Sequence, residues 1–297
     1  MERVSVIIPT LNAERELKGL LSALEKQTVS PAEILVVDSS SSDGTAALAA
    51  AYPRVRVFTI PRESFNHGGT RQMAAGEAEG DFLLFMTQDA VPASESLIQD
   101  LLAPLREDET VAAAYARQLP REDASARERL VRQFNYPDER EVRSAEDIPR
   151  LGIKAFFLSD VCAVYRRASF RDLGGFETEV LSNEDMLFAA KALRRGYRIA
   201  YAADARVIHS HNLSLREQYE RNRIQGYEIA RHRDLLGEAS ASREGIRMLK
   251  TVAGQLLRQG RVLSVFALGA DCAARYLGSR AGERRFRKDR ADQMKAD

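Results

Sequence analysis

Short apolar runs alternate with amphipathic segments in the first part of the chain. "VSVIIP", "EILVVD", "VRVFTI" and "DFLLFM" are each six residues long and rich in β-branched or aromatic side chains. Between the first two runs, leucines recur at helical spacing (Leu17, Leu20, Leu21 and Leu24), and Asn12 is placed to cap that helix. Apolar strands separated by helices are typically buried on both faces. The pattern predicts an α/β fold with a mostly parallel sheet flanked by helices.

The later part of the chain carries weaker signals. Charged residues dominate 120–149, which predicts an exposed helical or loop excursion. Regular patterns return with an apolar strand in "VCAVYRR", a helix over 184–195, and two strands, "RIAYA" and "ARVIH". From 214 onward the chain is basic-rich with helical periodicity. We therefore expect a main domain over 1–213 and a helical C-terminal extension over 214–297.

The C-terminal end is basic. From 280 to 295 there are seven Lys or Arg residues against three acids. A basic end after an amphipathic helix is compatible with peripheral contact with an anionic membrane. We favour the alternative that the helix packs on the protein core or on another subunit, because amphipathic helices usually face protein.

Composition excludes some classes of partner and compartment. The 44 basic and 43 acidic residues leave a formal charge of +1, which gives no reason to expect nucleic acid as a partner. Cys162 and Cys272 lie in apolar runs without metal-ligand spacing, as expected for buried thiols in a reducing compartment. No secretory signal is visible, and no apolar run reaches about 18 residues. We expect a cytoplasmic protein, and its oligomeric state is not predicted.

Polar residues follow the predicted strands where each one ends. Pro9 and Thr10 end the first strand, Asp38 ends the second, and Gln88 and Asp89 follow the fourth. In an open parallel sheet, ligands bind beyond the carboxyl ends of the strands. The turn after the first strand, "PTLNAE", is not glycine-rich, and no Walker-type phosphate loop is present. A bound diphosphate would then need a cation, which favours a metal at Asp89 over a plain turn residue.

The segment "VSVIIPTLNAERELKGLLSALEKQ", followed by "EILVVDSSSSDGT", resembles the opening of family-2 glycosyltransferases, which adopt the GT-A fold. The resemblance covers roughly residues 3–215, with several motifs in the expected order, and implies a GT-A-like, Rossmann-like domain. "TQD", ending at Asp89, keeps only the last acid of the family's Asp-x-Asp metal motif. Together with "FNHGGTRQMAAGEAEGDF", it is similar to the rhamnosyltransferase-like branch. The implied cofactor is a divalent cation, Mg²⁺ or Mn²⁺, held by Asp89.

The resemblance also implies which residues contact the nucleotide and the donor sugar. Asp38 matches the acid that contacts the base. Asp160, in a polar break before an apolar strand, is a separate candidate for contact with the donor hydroxyls. Arg71 is expected to touch a phosphate or the sugar, and a plain turn with a surface arginine is the alternative. The full set is Pro9, Thr10, Asn12, Asp38, Ser40, Asp43, His67, Arg71, Gln88 and Asp160.

Glu184 and Asp185 stand at the start of a predicted helix. Acids are common there because the helix dipole favours them and either one can act as a cap. The resemblance instead matches the pair to the acidic motif that supplies the catalytic base, with Asp185 preferred and Glu184 second. A general base that deprotonates an acceptor hydroxyl contributes about 10²–10⁴ in rate.

His209 and His211 follow the last predicted strand in "HSH" and share one side of an extended segment. In related enzymes a ligand that completes the metal sphere often comes from this region, and the two histidines rank equally. The alternative is a hydrogen-bonded structural histidine, because imidazole is not a preferred Mg²⁺ ligand.

Together with the residues above, the resemblance implies a metal-dependent, inverting glycosyltransferase of surface polysaccharide synthesis. The implied donor is dTDP-rhamnose, with a UDP- or GDP-sugar left open, and the implied acceptor is a saccharide that is free or lipid-linked. One alternative is a nucleotide-sugar-binding protein that has lost its chemistry with the first metal acid. Another is a nucleotidyltransferase, which would need a glycine-rich basic loop after the first strand.

Overall fold

The computed structural model describes residues 2–237 and 242–296. The strands are β1 (Val4–Thr10), β2 (Glu33–Asp38), β3 (Val55–Thr59), β4 (Phe82–Met86), β5 (Val91–Pro92), β6 (Val111–Leu119), β7 (Glu141–Arg143), β8 (Cys162–Arg166) and β9 (Arg198–Ile208). The first helices are α1 (Glu14–Glu25), α2 (Thr45–Ala50), α3 (His67–Glu77), α4 (Leu97–Glu107), α5 (Ala126–Asn135) and α6 (Ile148–Leu151). The later helices are α7 (Arg167–Asp172), α8 (Glu184–Arg194), α9 (Leu215–Arg231), α10 (Arg233–Leu236), α11 (Ser242–Arg258) and α12 (Val262–Ala296).

The described strands form one sheet in the order β3-β2-β1-β4-β8-β6-β9-β5, with β7 paired to β9 off this path. The four strands from β3 to β4 are parallel, and β6 is parallel to β9. Strand β8 lies antiparallel between β4 and β6, so the second half of the sheet is mixed. This confirms the predicted α/β class. It also places the start of β8 at the same edge as the carboxyl ends of β4 and β6.

Side chains of the central strands alternate between two apolar cores, one on each face of the sheet. Phe82, Leu84 and Met86 of β4 face the core formed with α1 and α4. Phe85, on the other face, joins an aromatic cluster with β8, α7 and α8, in which the rings of Tyr165 and Phe188 meet edge to face at 4.9 Å. Because both faces of these strands are covered by apolar cores, their sequences are nearly continuous apolar runs, which is the pattern that predicted them.

The start of α1 differs from the prediction that Asn12 caps it. Helix α1 begins at Glu14, and Asn12 lies before it with a φ of 48°. The Asn12 Oδ1 atom instead accepts a hydrogen bond from the backbone N–H of Ser42 at 2.8 Å. The first N–H groups of the helix are satisfied by the neighbouring loop, since the Ala13 N–H donates to Thr45 Oγ1 at 2.7 Å. Asn12 therefore joins two loops rather than capping a helix.

Two strand predictions need correction. Strand β6 carries the sequence "VAAAYARQL" and was not predicted, because alanine has a low β-propensity. The segments "RIAYA" and "ARVIH" form one strand, β9, rather than two. A register shift opposite Ala116 and Arg117 bulges β9 at that point. The predicted excursion over 120–149 contains α5, β7 and the first residues of α6.

The C-terminal helices pack closely on the rest of the chain. Helices α9 and α12 meet at glycines, and a Cβ placed at Gly282 would lie 2.0 Å from the Arg223 carbonyl oxygen. Side chains from α5, α11 and α12 share a small apolar core, formed by Val131, Val252, Leu256 and Leu268. The predicted packing of the tail on protein therefore holds for this face of α12. That core contains residues from both sides of the predicted boundary at 213/214, so the division into two domains stays a prediction.

The structure describes both cysteines and the helices in which a membrane span could lie. Cys162 is a buried free thiol, and Cys272 is a half-buried one. Within 2–237 and 242–296, every helix falls short of the combination of length and apolar character needed to cross a bilayer.

Candidate active site

A carboxylate and two imidazoles converge where the ends of β4 and β9 meet. Asp89 lies in the turn after β4, and the two-residue strand β5 then pairs Val91 with Ile208, the last residue of β9. That pairing brings His209 and His211 against the turn. The Nε2 atoms of His209 and His211 lie 3.6 and 3.3 Å from the Asp89 carboxylate oxygens. One ligand atom from each residue lies within 4.8 Å of the others, a spacing that a metal ion can bridge.

The hydrogen-bond network assigns the tautomer of His209. Arg132 donates to Gln118 Oε1, and Gln118 Nε2 donates to Ser159 Oγ at 2.9 Å, so the orientation of the Gln118 amide is fixed. The Nδ1 atom of His209 lies 3.1 Å from that same Oε1 and must carry the proton. Its Nε2 lone pair therefore faces Asp89. Burial lowers the pKa of His209 to about 3, against the opposing effect of Asp89, so the ring is neutral.

Two acceptors facing each other without a proton between them form a poor contact by themselves. The same arrangement suits a divalent cation, because carboxylate oxygen and neutral imidazole nitrogen are both ligands. Arg121 lies on the other side of the acid: its guanidinium is 3.4 Å from Asp89 Oδ2 and donates to the Asp89 carbonyl oxygen at 3.0 Å. Asp89 therefore fits both interpretations of the acid after β4, as a turn residue and as a metal ligand. It occupies a turn, and it faces candidate metal ligands.

Glu184 and Asp185 begin α8, as predicted, but have different surroundings. The N-cap is Asn183, in the left-handed region with a φ of 68°, so neither acid is the cap. Glu184 is buried, whereas Asp185 is partly exposed. Asp185 accepts hydrogen bonds from the backbone N–H groups of Met186 at 2.7 Å and Asp160 at 3.2 Å. Burial and the neighbouring Glu184 raise the pKa of Asp185 to about 7, which suits a general base near neutral pH.

Arg71 lies beneath this pair, in the second turn of α3, and only 4% of its side chain is exposed. Its Nη1 atom donates to Glu184 Oε1 at 2.9 Å and to His67 Nδ1 at 3.0 Å. Its Nε atom lies 3.5 Å from Asp160 Oδ2. Asp160 is also buried, and its other carboxylate oxygen accepts from the Tyr165 hydroxyl.

These contacts rule out the alternative of a surface arginine at Arg71, whereas the donor contacts of Arg71 and Asp160 stay predictions. The structure places both side chains inside the protein, against each other. Burial raises the pKa of Asp160 well above its usual range, against the effect of Arg71. His67 differs, because it is exposed at the start of α3. Since its Nδ1 accepts from Arg71, its Nε2–H is available to a ligand.

The remaining predicted residues lie at the ends of β1, β2 and β4. Asp38 is buried, and its carboxylate accepts from the Ser41 backbone N–H at 2.9 Å and from Thr10 Oγ1 at 3.4 Å. Pro9 precedes Thr10 in β1. Ser40 has a φ of 56°. Residues of this loop thus share one edge of the sheet with Asp89.

Gln88 and Asp43, which are predicted to contact the nucleotide-sugar donor, hold the loops in place. The Gln88 amide pairs with the backbone of Leu11, accepting from its N–H at 2.8 Å and donating to its carbonyl oxygen at 3.3 Å. Asp43 accepts from the backbone N–H of Thr45 at 3.0 Å, at the start of α2. Hydrogen bonds from Thr45 lower the pKa of Asp43. Both side chains already have hydrogen-bond partners within the protein, so they stabilise these loops without a bound ligand.

The comparison with known families identifies the fold that carries this site. Residues 5–174 match the family model described as Glycosyl transferase family 2. The chain belongs to that family. The family match confirms the prediction that this protein is a glycosyltransferase.

Two curated relatives of this glycosyltransferase come from Salmonella. The O-antigen chain rhamnosyltransferase RfbN of Salmonella typhimurium is 40% identical over 220 residues, which cover 74% of this chain and 70% of the relative. The O-antigen chain rhamnosyltransferase WbaN of Salmonella anatum is 38% identical over 289 residues, 95% of this chain and 90% of the relative.

Solved structures with the same fold are more distant in sequence. Residues 1–349 of Staphylococcus aureus TarS, in complex with UDP-GlcNAc, match with a TM-score of 0.58 at 23% identity, covering 97% of this chain and 92% of that one. A Pyrobaculum calidifontis mannosyltransferase in complex with GDP-Man and Mn²⁺ matches with a TM-score of 0.56 at 20% identity, covering 92% and 74%. These likenesses confirm the GT-A-like fold of the glycosyltransferase.

Proposed function

We propose that this glycosyltransferase transfers rhamnose from dTDP-rhamnose to a saccharide acceptor during synthesis of a surface polysaccharide, with inversion at the anomeric carbon. The two curated relatives at 38% and 40% identity, both O-antigen rhamnosyltransferases, support the sugar and the pathway class. The observation that supports this chemistry most directly is that Asp185 is partly exposed, whereas its neighbour Glu184 is buried and paired with Arg71. That arrangement leaves one carboxylate available to an acceptor.

Asp185 acts as the general base. It takes the proton from the acceptor hydroxyl as that oxygen attacks the anomeric carbon, on the face opposite the departing diphosphate. Two backbone N–H groups orient its carboxylate. A direct displacement of this kind inverts the anomeric centre and needs no nucleophilic side chain. We assign Glu184 a positioning role, because its carboxylate is occupied by Arg71.

Asp89, His209 and His211 would hold a divalent cation against the donor diphosphate. A cation bound there supplies Lewis-acid stabilisation of the leaving group. Two imidazoles with one carboxylate fit Mn²⁺ better than Mg²⁺, which prefers an all-oxygen environment. Arg121, beside Asp89, adds a positive charge to the same region.

The loops at the ends of β1 and β2 would receive the nucleotide. Asp38 lies at the end of β2 beside Thr10, where a base can reach hydrogen-bonding groups at the sheet edge. On the other side, the free Nε2–H of exposed His67 would contact the donor sugar or phosphate. The acceptor is a saccharide, free or lipid-linked. We place the reaction in the cytoplasm, which the two free thiols support.

Replacement of Asp185 by Asn tests this proposal. We expect turnover with dTDP-rhamnose and an acceptor saccharide to fall by about 10²–10⁴, the usual contribution of a general base. Binding of dTDP, measured by calorimetry with Mn²⁺, should stay within about twofold of wild type. Asp234→Asn, on the short helix α10, is the matched control and should retain activity. An Asp185→Asn variant that transfers rhamnose at the wild-type rate would refute the base assignment.

The donor and the alternative of a non-catalytic protein are tested together. Calorimetric titrations of dTDP, UDP and GDP, each with and without Mn²⁺, should show tightest binding for dTDP and dependence on the ion. Binding of a nucleotide without transfer from any matching sugar donor would favour a nucleotide-sugar-binding protein. Transfer from a UDP- or GDP-sugar alone would retain the enzyme and correct the donor.

A further inference from the structure

The turn between α11 and α12 lies in a long stretch without acidic residues. From 245 to 270 the sequence contains four basic residues, Arg247, Lys250, Arg258 and Arg261, and no Asp or Glu. The chain as a whole is nearly neutral, with a formal charge of +1. This helical hairpin therefore carries a local excess of positive charge.

One side of α12 is an exposed apolar line, which we call the α12 stripe: Leu263, Phe266, Ala270, Ala273 and Leu277. Spacings of three and four residues place these side chains on one face of the helix. Leu263 is 84% exposed and Phe266 is 73% exposed. From Leu263 to Leu277 the stripe runs about 21 Å along the helix axis.

The stripe is not needed to pack α12 on the protein. A different face of the helix does so, through Leu268 in the core shared with α5 and α11 and through Gly278 against α9. Leu257 and Val262, on either side of the turn, are exposed as well and extend the apolar surface at that end. Exposed large apolar side chains grouped in this way mark an interaction surface.

Basic side chains bracket the stripe at both ends. Arg258 and Arg261 lie at the turn, and Arg284 and Lys288 continue the helical spacing beyond Leu277. None of these four forms an ion pair with a residue in 2–237 or 242–296. The acids of α12 are already engaged: Asp271 with Arg275, Glu283 with Arg233, Arg280 and Arg287, Asp289 with Arg285, and Asp292 with Lys295.

We propose that the α12 stripe and its bracketing basic residues dock on an anionic phospholipid bilayer, with α12 lying in the plane of the membrane surface. An apolar face flanked by Lys and Arg binds such surfaces by burying apolar side chains below the headgroups while the cations meet anionic lipid. A second copy of the chain fits less well. Basic residues stand at both ends of the stripe, so parallel and antiparallel pairing alike would oppose positive charges.

This proposal is independent of the sugar that the enzyme transfers. It places the chain at a surface where lipid-linked saccharides reside, but the docking follows from α11 and α12 alone. The main core and Asp185 contribute nothing to it.

Sedimentation of the full chain with lipid vesicles tests the docking. We expect binding to vesicles of phosphatidylcholine with 30% phosphatidylglycerol, weakened by high salt, and at least tenfold weaker partition to pure phosphatidylcholine. Leu263→Ser/Phe266→Ser should reduce partition at least tenfold. Arg258→Gln/Arg261→Gln should reduce it by about fivefold for each charge removed. Met294→Ser, 74% exposed on the same helix but off the stripe, is the matched control and should bind as wild type.

Other results would overturn the proposal. Absence of binding to anionic vesicles, or equal binding to neutral ones, would contradict it. So would wild-type binding by both double variants. If light scattering shows a dimer that Leu263→Ser/Phe266→Ser converts to a monomer, while no vesicles are bound, the stripe is an interface between copies of this chain. Circular dichroism should show all variants folded, since every substituted residue is exposed.

Discussion

Arg71→Met tests the buried charge arrangement beneath the proposed base. Arg71 and Glu184 are 4% and 6% exposed in their side chains, and their ion pair is 2.9 Å long. Methionine retains the apolar part of the side chain but removes the cation. Glu184 would then be a buried carboxylate without its partner, beside Asp160, which is buried as well. Breaking a buried pair in this way typically costs about 3–5 kcal/mol.

Protonation of Glu184 sets an upper limit to that loss. Starting from an ordinary pKa of about 4.3, protonating Glu costs about 1.4 kcal/mol per pH unit, which gives about 5 kcal/mol at pH 8 and about 2 kcal/mol at pH 5.5. In the variant the folded state takes up a proton that the unfolded state does not bind at the same pH. The stability deficit should therefore grow as pH rises.

Urea unfolding at pH 8 and pH 5.5 measures the effect. We expect Arg71→Met to lose about 3–5 kcal/mol at pH 8 and about 2 kcal/mol at pH 5.5. Arg71→Met/Glu184→Gln should recover most of the loss at pH 8. Arg195→Met is the matched control, because its pair with Asp172 is 3.5 Å long and exposed; it should cost less than about 1 kcal/mol. A deficit for Arg71→Met below about 1 kcal/mol at pH 8, or one independent of pH, would refute the reasoning.

Three further results are expected. Gln118→Leu should weaken the Mn²⁺ dependence of nucleotide binding by about 10–100-fold in calorimetry, because it removes the group that orients His209; unchanged dependence would contradict this. Gly282→Ala should lower thermal stability by about 1–3 kcal/mol through the clash between α9 and α12, whereas Gly269→Ala, with open space at its Cβ, should not. Finally, kcat/KM should rise with pH up to about 7 and then level off as Asp185 loses its proton, and a flat profile from pH 5.5 to 8 would argue against that base.

The parts of the fold that were predictable are those with strong local patterns. Strand β2 is buried throughout and β1 is buried except at Pro9, so their sequences are largely apolar on both faces and were recognised. Strand β6 was missed because its alanines give no strand preference, and β9 was divided in two by its bulge. Both depend on partners distant in sequence, which local propensity does not reveal.

The same limits apply to the site. The rule that ligands bind at strand ends, with the family resemblance, pointed to Asp89 and the two histidines, which the structure brings together. Gln118, near the end of β6, and Arg121, just after it, follow the same rule, but they were missed because β6 was not predicted. The burial of Arg71 could not be predicted, because it results from contact with Glu184, 113 positions away in the sequence.

The central claim is that a cation held by Asp89, His209 and His211 neutralises the diphosphate of the donor. A crystal of the enzyme with dTDP and Mn²⁺, measured at the manganese absorption edge, examines this directly. We expect an anomalous peak within coordinating distance of the Asp89 carboxylate, at least one of the two imidazole Nε2 atoms and the diphosphate oxygens. A map with well-ordered dTDP and no manganese among these side chains would contradict it.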